Sequence, residues 1–305
     1  MFKSSKILYI VLLLSALVAP FIAYPIFLMK VLSFALFACA FNLLIGFTGL
    51  LSFGHAMFFG GAAYLCAYAA KAWGLTPELA VLFGTVGAAI LGYFVGWLAV
   101  RRQGIYFAMV SLALSQMVYF ICVQAPFTGA EDGLQNVPRG KLFGLFSLAD
   151  DTTMYYFVLA VFIFGFWLIY RTIHSPFGQV LKSIRENEAR ALSLGYDVDK
   201  YKLVAFVISA GLAGMAGALK SLSLGLATLT DVTWQMSGEV VLMTLLGGMG
   251  TILGPVVGAA SIIAMQNYLA SFGSWVTIIM GIIFVVCVLV FRRGIVGEIA
   301  HRLKK

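Results

Sequence analysis

Long, uninterrupted apolar runs are the feature that most restricts what this 305-residue chain can fold into. Several runs exceed the roughly 18 to 20 residues that a helix needs to cross a bilayer. Hydrophobic residues make up 62% of the chain, charged residues 10%, and the mean hydropathy is +1.01. A soluble domain does not have this composition. Because the runs are not the short alternating segments of a membrane barrel, the sequence predicts an all-α, polytopic transmembrane helix bundle.

Ten spans can be placed along the chain, within an overall expectation of about 8–10. They lie at 7–24, 30–47, 55–73, 79–100, 104–123, 153–170, 203–225, 240–257, 258–273 and 275–291. The first run follows Lys3 and Lys6, as a signal peptide would, but lacks a clear small-residue cleavage site and is interpreted as a retained span. The eighth and ninth spans are the hardest to place, because "LLGGMGTILGPVVG" (245–258) breaks helix continuity with five glycines and Pro255.

The distribution of lysine and arginine predicts how the spans are oriented. With both termini in the cytoplasm, fifteen of the 20 basic residues fall on the inner side and five on the outer side. This bias explains the formal net charge of +8 without a nucleic-acid partner. The chain is thus predicted to be one transmembrane domain over residues 1–305, with an outer loop at 124–152 and a cytoplasmic segment at 174–202.

The stretch "SPFGQVLKSIRENEARALSLGYDVDKYKL" (175–203) is a long polar segment between two spans. Ser175 and Pro176 favour the start of a helix, and Gly195 favours its end. Apolar residues recur near the helical period between them, at Val180, Ile184, Ala191 and Leu194. The pattern predicts a short amphipathic helix whose apolar stripe lies against the bilayer surface, the chain itself or a groove in a partner. From the residues alone, a helix that merely connects two spans is the simplest interpretation.

Several stretches resemble the branched-chain amino acid permeases of ATP-binding cassette (ABC) importers, of the LivM type. "ENEARALSLG" (186–195) is similar to the EAA loop, which docks into a cleft of the ATPase subunit. The other similar stretches are "NLLIGFTGLLSFGHAMFFGGAAY" (42–64), "RRQGIYFAMVSLAL" (101–114), "FTGAEDGL" with "VP" following (127–138) and "LLGGMGTILGPVVGA" (245–259). Together they cover about residues 30–293. The sequence departs from the pattern at Ala130, where a second glycine is usual, and at Arg190, where the generic loop has alanine.

The resemblance implies a multi-pass permease of the bacterial plasma (inner) membrane that transports branched-chain or related amino acids. It implies as partners two ABC ATPase subunits, a second homologous permease and a soluble or tethered substrate-binding protein. This chain would be no enzyme and hold no cofactor, since ATP and Mg would bind the ATPase subunits, and no "GxxxxGKS" loop occurs here. The implied coupling residues are Arg185, Glu186, Glu188, Ala189, Ala191 and Gly195. In the outer loop, Glu131 and Asp132 are candidates for docking the binding protein; no metal site is predicted.

Two glycine-rich breaks point to a transport pathway, because irregular backbone at membrane depth is tolerated only beside protein or a water-filled cavity. Both breaks follow spans predicted to run inward. The candidate pathway or gating residues are Asn42, Gly46, Gly49, Ser52, Gly54, His55, Gln116, Gly247, Gly248, Gly250 and Gly254. Close helix packing is the alternative for the glycines, and hydrogen bonds to neighbouring helices are the alternative for Asn42, Ser52 and His55.

Two other classes of protein and several other substrates remain open at this point. An ion-coupled carrier or a channel would need no ATPase, but such carriers usually bury exchanging acids, and here Glu239 comes closest to being buried. A membrane enzyme would need a reactive cluster at depth, and no convincing one is seen. The four cysteines have neither disulfide nor metal-ligand spacing and are predicted to be small core residues. An ABC permease for urea or short amides would carry the same motifs.

Overall fold

A computed structural model describes residues 11–102, 104–144, 146–270, 273, 275–290 and 294–302. Its first helices are α1 (Val11–Phe21), α2 (Pro25–Thr48), α3 (Ala56–Ala72), α4 (Pro77–Ala99), α5 (Ile105–Gln124) and α6 (Asp151–His174). They are followed by α7 (Pro176–Glu186), α8 (Glu188–Ser193), α9 (Val198–Leu224), α10 (Trp234–Gly247), α11 (Gly254–Leu269), α12 (Trp275–Val290) and α13 (Gly294–Arg302). Four two-residue strands are β1 (Leu134–Gln135), β2 (Lys141–Leu142), β3 (Phe146–Ser147) and β4 (Leu226–Ala227).

The predicted helix bundle is confirmed. Five described helices, α2, α4, α5, α6 and α9, are long and apolar enough to cross a membrane. The apolar helices α3, α10, α11 and α12 are shorter, with 14 to 17 residues each. Residues 7–10, 271–272 and 291 of the predicted spans lie outside the described residues, as do Lys3 and Lys6.

The core is built around α2 and α9, which are the most buried of the long helices. Both helices are rich in small side chains, and α3, α4 and α9 approach closely. A Cβ atom on Gly217 of α9 would lie 1.8 Å from the carbonyl oxygen of Phe59 on α3. Small residues of this kind let helix backbones approach in a bilayer, where dispersion rather than the hydrophobic effect holds helices together. Cys39, Cys66 and Cys122 are buried as free thiols in this core.

The two polar segments lie at opposite ends of the bundle. Helix α7 packs against the C-terminal end of α2, whereas β1 in the loop between α5 and α6 pairs antiparallel with β4, just after the C-terminus of α9. Arg139 of that loop donates to Asp151 at 2.5 Å and to the carbonyl oxygen of Ser223 at 2.9 Å. We call these ends the coupling end and the loop end.

Two predicted elements are wrong in their boundaries. The eighth span was predicted at 240–257, but α10 ends at Gly247 and the backbone is non-helical up to Leu253. The helix begins earlier instead, at Trp234, because its polar first turns are satisfied by neighbours: the Ser237 hydroxyl accepts from the Ala56 amide at 2.9 Å. The predicted single amphipathic helix is two helices, since Asn187 is extended (φ −156°, ψ 100°) and separates α7 from α8.

Candidate functional site

The coupling segment, α7 and α8 with the turn that follows, is held in shape by local caps. Ser175 accepts from the amide of Gly178 at 3.3 Å and begins α7, with Pro176 in the first turn. Asn187 accepts from the amide of Arg190 at 3.0 Å and begins α8. Because each helix has its own cap, the break between them is a defined corner.

Gly195 ends α8 in a Schellman motif. Its amide donates to the carbonyl of Leu192 at 3.0 Å, and the amide of Tyr196 donates to that of Ala191 at 3.3 Å. Gly195 has a φ of +88°, which a residue with a side chain seldom adopts. The predicted helix end at Gly195 is confirmed.

The burial of the coupling segment divides its predicted residues into two groups. Ile184 and Ala191 are buried in a small cluster with Val198, and Val180 packs against that cluster. Glu188 forms an ion pair of 2.7 Å with Lys202, whose side chain is only 3% exposed. Glu186 and Ala189 are exposed. Leu194, the last residue of the predicted apolar stripe, is 68% exposed, beside Leu192 at 65%. The chain itself therefore covers the stripe only in part.

Arg185 joins the coupling segment to the first glycine break. Its Nη1 donates to the carbonyl oxygen of Gly46, near the C-terminus of α2. Its stem lies against Gly49, where a Cβ would be 3.3 Å from Arg185 Cγ. Gly49 caps α2 with a φ of +79°. The end of α2 is thus in direct contact with α7.

Asn42 joins the first break to the second. Its Nδ2 donates to the carbonyl oxygen of Thr251 at 2.8 Å, and its Oδ1 accepts from the amide of Gly250 at 3.0 Å. A Cβ on Gly46 would lie 2.3 Å from Asn42 Oδ1 and 2.8 Å from the Gly250 nitrogen. Close approach of the two backbones therefore requires glycine at position 46.

The second break is a compact turn between α10 and α11. Thr251 donates its hydroxyl to the carbonyl of Gly248 at 2.7 Å and accepts from the amide of Gly254 at 3.1 Å. Gly248 and Gly250 have φ of +118° and +75°. A Cβ on Gly247 would lie 1.9 Å from the carbonyl oxygen of Gly254, so the two helices touch backbone to backbone. A cleft lined by Phe47, Lys182, Arg185, Glu186 and Gly250 opens beside this turn. We call the contact of α7 with both breaks the junction.

The remaining residues of the first break lie at the start of α3 and form a separate buried group. Ser52 accepts from the amide of Gly54 at 3.3 Å, and a Cβ on Gly54 would lie 2.2 Å from the carbonyl of Ser111. His55 is fully buried. Ser209 donates to the carbonyl of Ala40 at 2.6 Å, so it accepts from His55 Nε2–H at 2.8 Å. The rings of Phe41, Phe58 and Phe206 surround the imidazole edge-on.

Three further predicted site residues also lie away from the junction. Gln116 is half-buried on α5, and the described residues offer it no hydrogen-bond partner. Glu131 and Asp132 lie in a 3-10 turn at the loop end and line an open depression there. Ala130, next to them, has a φ of +52°, which explains why glycine is usual at that position.

Sequence reasoning missed Thr251 and Ser209, which hold the second break and His55. The signal for Thr251 was available, since threonine between Gly250 and the next helix is well placed to cap that helix. The signal for Ser209 was not, because its partner His55 is 154 residues away. Among the described residues, no group of three or more His, Cys, Asp or Glu side chains could hold a metal ion.

Comparisons with known proteins agree with this architecture. The family model for "Branched-chain amino acid transport system / permease component" matches residues 7–288. The high-affinity branched-chain amino acid transport system permease protein LivM of Escherichia coli K12 is 26% identical over 286 residues, which cover 86% of this chain and 67% of the relative. A probable branched-chain amino acid transport permease protein LivH of Methanocaldococcus jannaschii is 28% identical and covers 53% of each chain.

A third relative carries another substrate in its name. The autoinducer 2 import system permease protein LsrC of Klebsiella pneumoniae is 28% identical over 60% of this chain and 53% of its own length. No solved structure matches the chain. With the family model covering most of its length and five helices fit to cross a bilayer, this chain is a multi-pass inner-membrane transport protein that belongs to the family of branched-chain amino acid transport system permease components.

Proposed function

We propose that this chain is the permease subunit of an ATP-driven importer for branched-chain amino acids and that its coupling segment docks into an ATPase subunit. The junction is the observation that carries the proposal. Arg185 contacts Gly46 and lies beside Gly250, and Asn42 ties the two breaks together. A displacement of α7 would therefore reach both breaks as a rigid-body motion, without a flexible connection.

The exposed face of α8 supplies a surface for the ATPase. Leu192 and Leu194 project from a segment that is otherwise polar on its exposed side, next to Glu186 and Arg190. Two leucines of this kind would gain roughly 1.5–3 kcal/mol each if a partner cleft buried them fully. The charges around them would orient the partner and raise the association rate. Ala191 and Ile184 face inward and hold the segment to its own protein.

The wider assembly follows from the relatives. LivM-type and LivH-type permeases both occur among them, so we propose a heterodimer of this chain with a second permease, carried by two ATPase subunits that hold ATP and Mg. Glu131 and Asp132 at the loop end would receive a soluble binding protein. The LivM relative is named for branched-chain amino acid transport, so leucine, isoleucine and valine are the first substrates to test, followed by urea and short amides. The relatives also include an autoinducer 2 import permease, which shows that substrates differ among similar permeases.

Reconstitution tests the proposal. The permease pair, its ATPase and its binding protein are placed in liposomes, and uptake of radiolabelled L-leucine is followed with and without ATP. We expect uptake to require ATP. Leu192→Asp should abolish copurification of the ATPase, since a charge would enter the partner's apolar cleft. Phe143→Asp is the matched control, because Phe143 is 72% exposed at the loop end. Uptake without ATP, or normal ATPase binding by Leu192→Asp, would contradict the proposal.

A further inference from the structure

Two basic side chains line the cleft beside the second glycine break. Lys182 and Arg185 are three residues apart on α7 and therefore lie on the same face of that helix. Phe47, near the end of α2, and Gly250, in the second break, form other walls of the cleft, which has a volume of about 390 Å³. The cleft thus lies where α7, α2 and the second break meet at the junction.

Contacts within the chain hold both cations in place but do not neutralise them. The ammonium nitrogen of Lys182 lies 5.8 Å from the centre of the Phe47 ring, within the range of a cation–π contact. Nη1 of Arg185 donates to the carbonyl oxygen of Gly46, which carries no net charge. Within the part of the chain that the structure describes, neither cation forms an ion pair. Two positive charges therefore share one cleft and can both bond to an anion that enters it.

Glu186 lines the same cleft and bears on which kind of anion fits there. Its side chain is exposed, and it is in ion-pair contact with neither Lys182 nor Arg185. The lining therefore carries two positive charges and one negative charge. A lipid phosphate would add a negative group next to the Glu186 carboxylate, whereas a protein surface can present groups of both signs. Complementary charges of both signs fix the register between protein partners.

The place of the cleft on the coupling segment indicates the partner. We propose that the cleft receives a carboxylate side chain of the ATPase subunit, with Lys182 as its ion-pair partner and Arg185 as a second donor. An arginine has five N–H donors, so one guanidinium can bond to the carbonyl of Gly46 and to a carboxylate together. This inference rests on the proposed function and deepens it, since it names the chemistry that would join the ATPase to the junction.

The affinity of the ATPase subunit for the permease tests this pairing. The permease pair is placed in nanodiscs of phosphatidylcholine, which has no net charge, and the dissociation constant of the ATPase subunit is measured at low and high salt. We expect Lys182→Met to weaken binding at low salt by about tenfold and to make the affinity less dependent on salt. Lys182→Arg keeps the charge and should bind as the wild type does. Lys200→Met is the matched control, because the Lys200 side chain is 82% exposed and already pairs with Asp197 at 2.7 Å.

A carbodiimide cross-link identifies the group that Lys182 contacts. The reagent activates a carboxylate, and a lysine amine in contact with that carboxylate then forms an amide bond. We expect mass spectrometry of the wild-type complex to find Lys182 joined to an aspartate or glutamate of the ATPase subunit. The same link should be missing from Lys182→Arg, although this variant still binds the ATPase.

Three results would contradict the inference. In the first, Lys182→Met binds the ATPase with wild-type affinity. In the second, Lys182 forms no link to the ATPase or is linked only to its own chain. In the third, Lys182→Met and the wild type differ only in nanodiscs that contain phosphatidylglycerol, since the cleft would then hold a lipid phosphate. A wild-type permease pair that binds no ATPase subunit in either kind of nanodisc would instead overturn the proposed function.

Discussion

The bridge from Asn42 to the second glycine break gives a prediction with a definite size. Asn42 is 2% exposed, and Asn42→Ala would remove the partners of the Gly250 amide and the Thr251 carbonyl. A buried backbone group left without a partner costs about 1–3 kcal/mol. Gly250 and Thr251 are half-buried, so water can relieve part of this cost. We therefore expect the free energy of unfolding to fall by about 2–3 kcal/mol.

The measurement is equilibrium unfolding of the permease in mixed detergent micelles, followed by helix content. Gln116→Ala is the control, because it also shortens a half-buried amide side chain but removes no hydrogen bond between described residues. We expect a change below about 0.5 kcal/mol for this control. Uptake in the reconstituted importer is measured on the same variants.

A double-mutant cycle refines the test. Gly46→Ala would place a Cβ 2.3 Å from Asn42 Oδ1, so it disrupts the same bridge. Gly46→Ala should therefore cost less in the Asn42→Ala background than in the wild type. Additive effects, or a change below about 0.5 kcal/mol for Asn42→Ala, would refute the bridge as a stabilising contact. Loss of uptake with unchanged stability would instead make Asn42 a pathway-lining residue.

Three further predictions concern the packing and the caps. Gly217→Ala should destabilise the bundle by at least about 1–3 kcal/mol, because the added Cβ would overlap α3. Gly238→Ala is the control, since Gly238 has open space around it and should tolerate alanine. Equal effects of the two variants in unfolding measurements would contradict this prediction. Gly195→Val should cost about 1–2 kcal/mol at its left-handed φ and reduce coupled uptake, while Gly195→Asn should be tolerated; the reverse order would be inconsistent. Hydrogen bonds from Thr152 and Thr153 lower the pKa of the Asp150 carboxyl from its ordinary value. Its capping of α6 is therefore present at neutral pH and lost as the pH falls through that lowered pKa, so the protection of the first-turn amides of α6 against exchange, relative to their intrinsic rates at each pH, should fall in acid for the wild type but not for Asp150→Ala.

Hydropathy predicted most of the spans to within a few residues, because apolar length is what a bilayer selects. Hydropathy did not predict the helix boundaries that are set by backbone geometry. The predicted span at 240–257 crossed the second break, since a glycine turn inside an apolar run keeps the hydropathy high while ending the helix. It also began too late, because Ser237 and Glu239 look like loop residues until Ala56 and Gln266 supply their partners.

The coupling segment shows a second limit of the sequence. Val180, Ile184 and Ala191 follow one helical stripe, and of the three surfaces that could cover it, the structure places these residues against the chain itself. Leu194 follows the same stripe in sequence but is exposed, since Asn187 interrupts the helix. Helical periodicity alone does not show that an asparagine within the pattern caps a new helix and ends the previous one. Contacts such as Arg185 with Gly46, 139 residues apart, are set by tertiary packing alone.

The junction also suggests why the glycines of the two breaks lie where the coupling segment contacts the bundle. A backbone that must move needs few side chains to repack, and the positive φ of Gly49, Gly248 and Gly250 gives each break a conformation that other residues resist. A contact that transmits motion needs stiffness, which Arg185 and Asn42 supply by bonding to backbone groups rather than to flexible side chains. In the coupling that we propose, a rigid contact on a deformable turn would convert a small displacement of α7 into a rearrangement of α2 and α10. Separate breaks could each bend alone, whereas in the proposed mechanism the hydrogen bonds of Asn42 would make the two breaks move together.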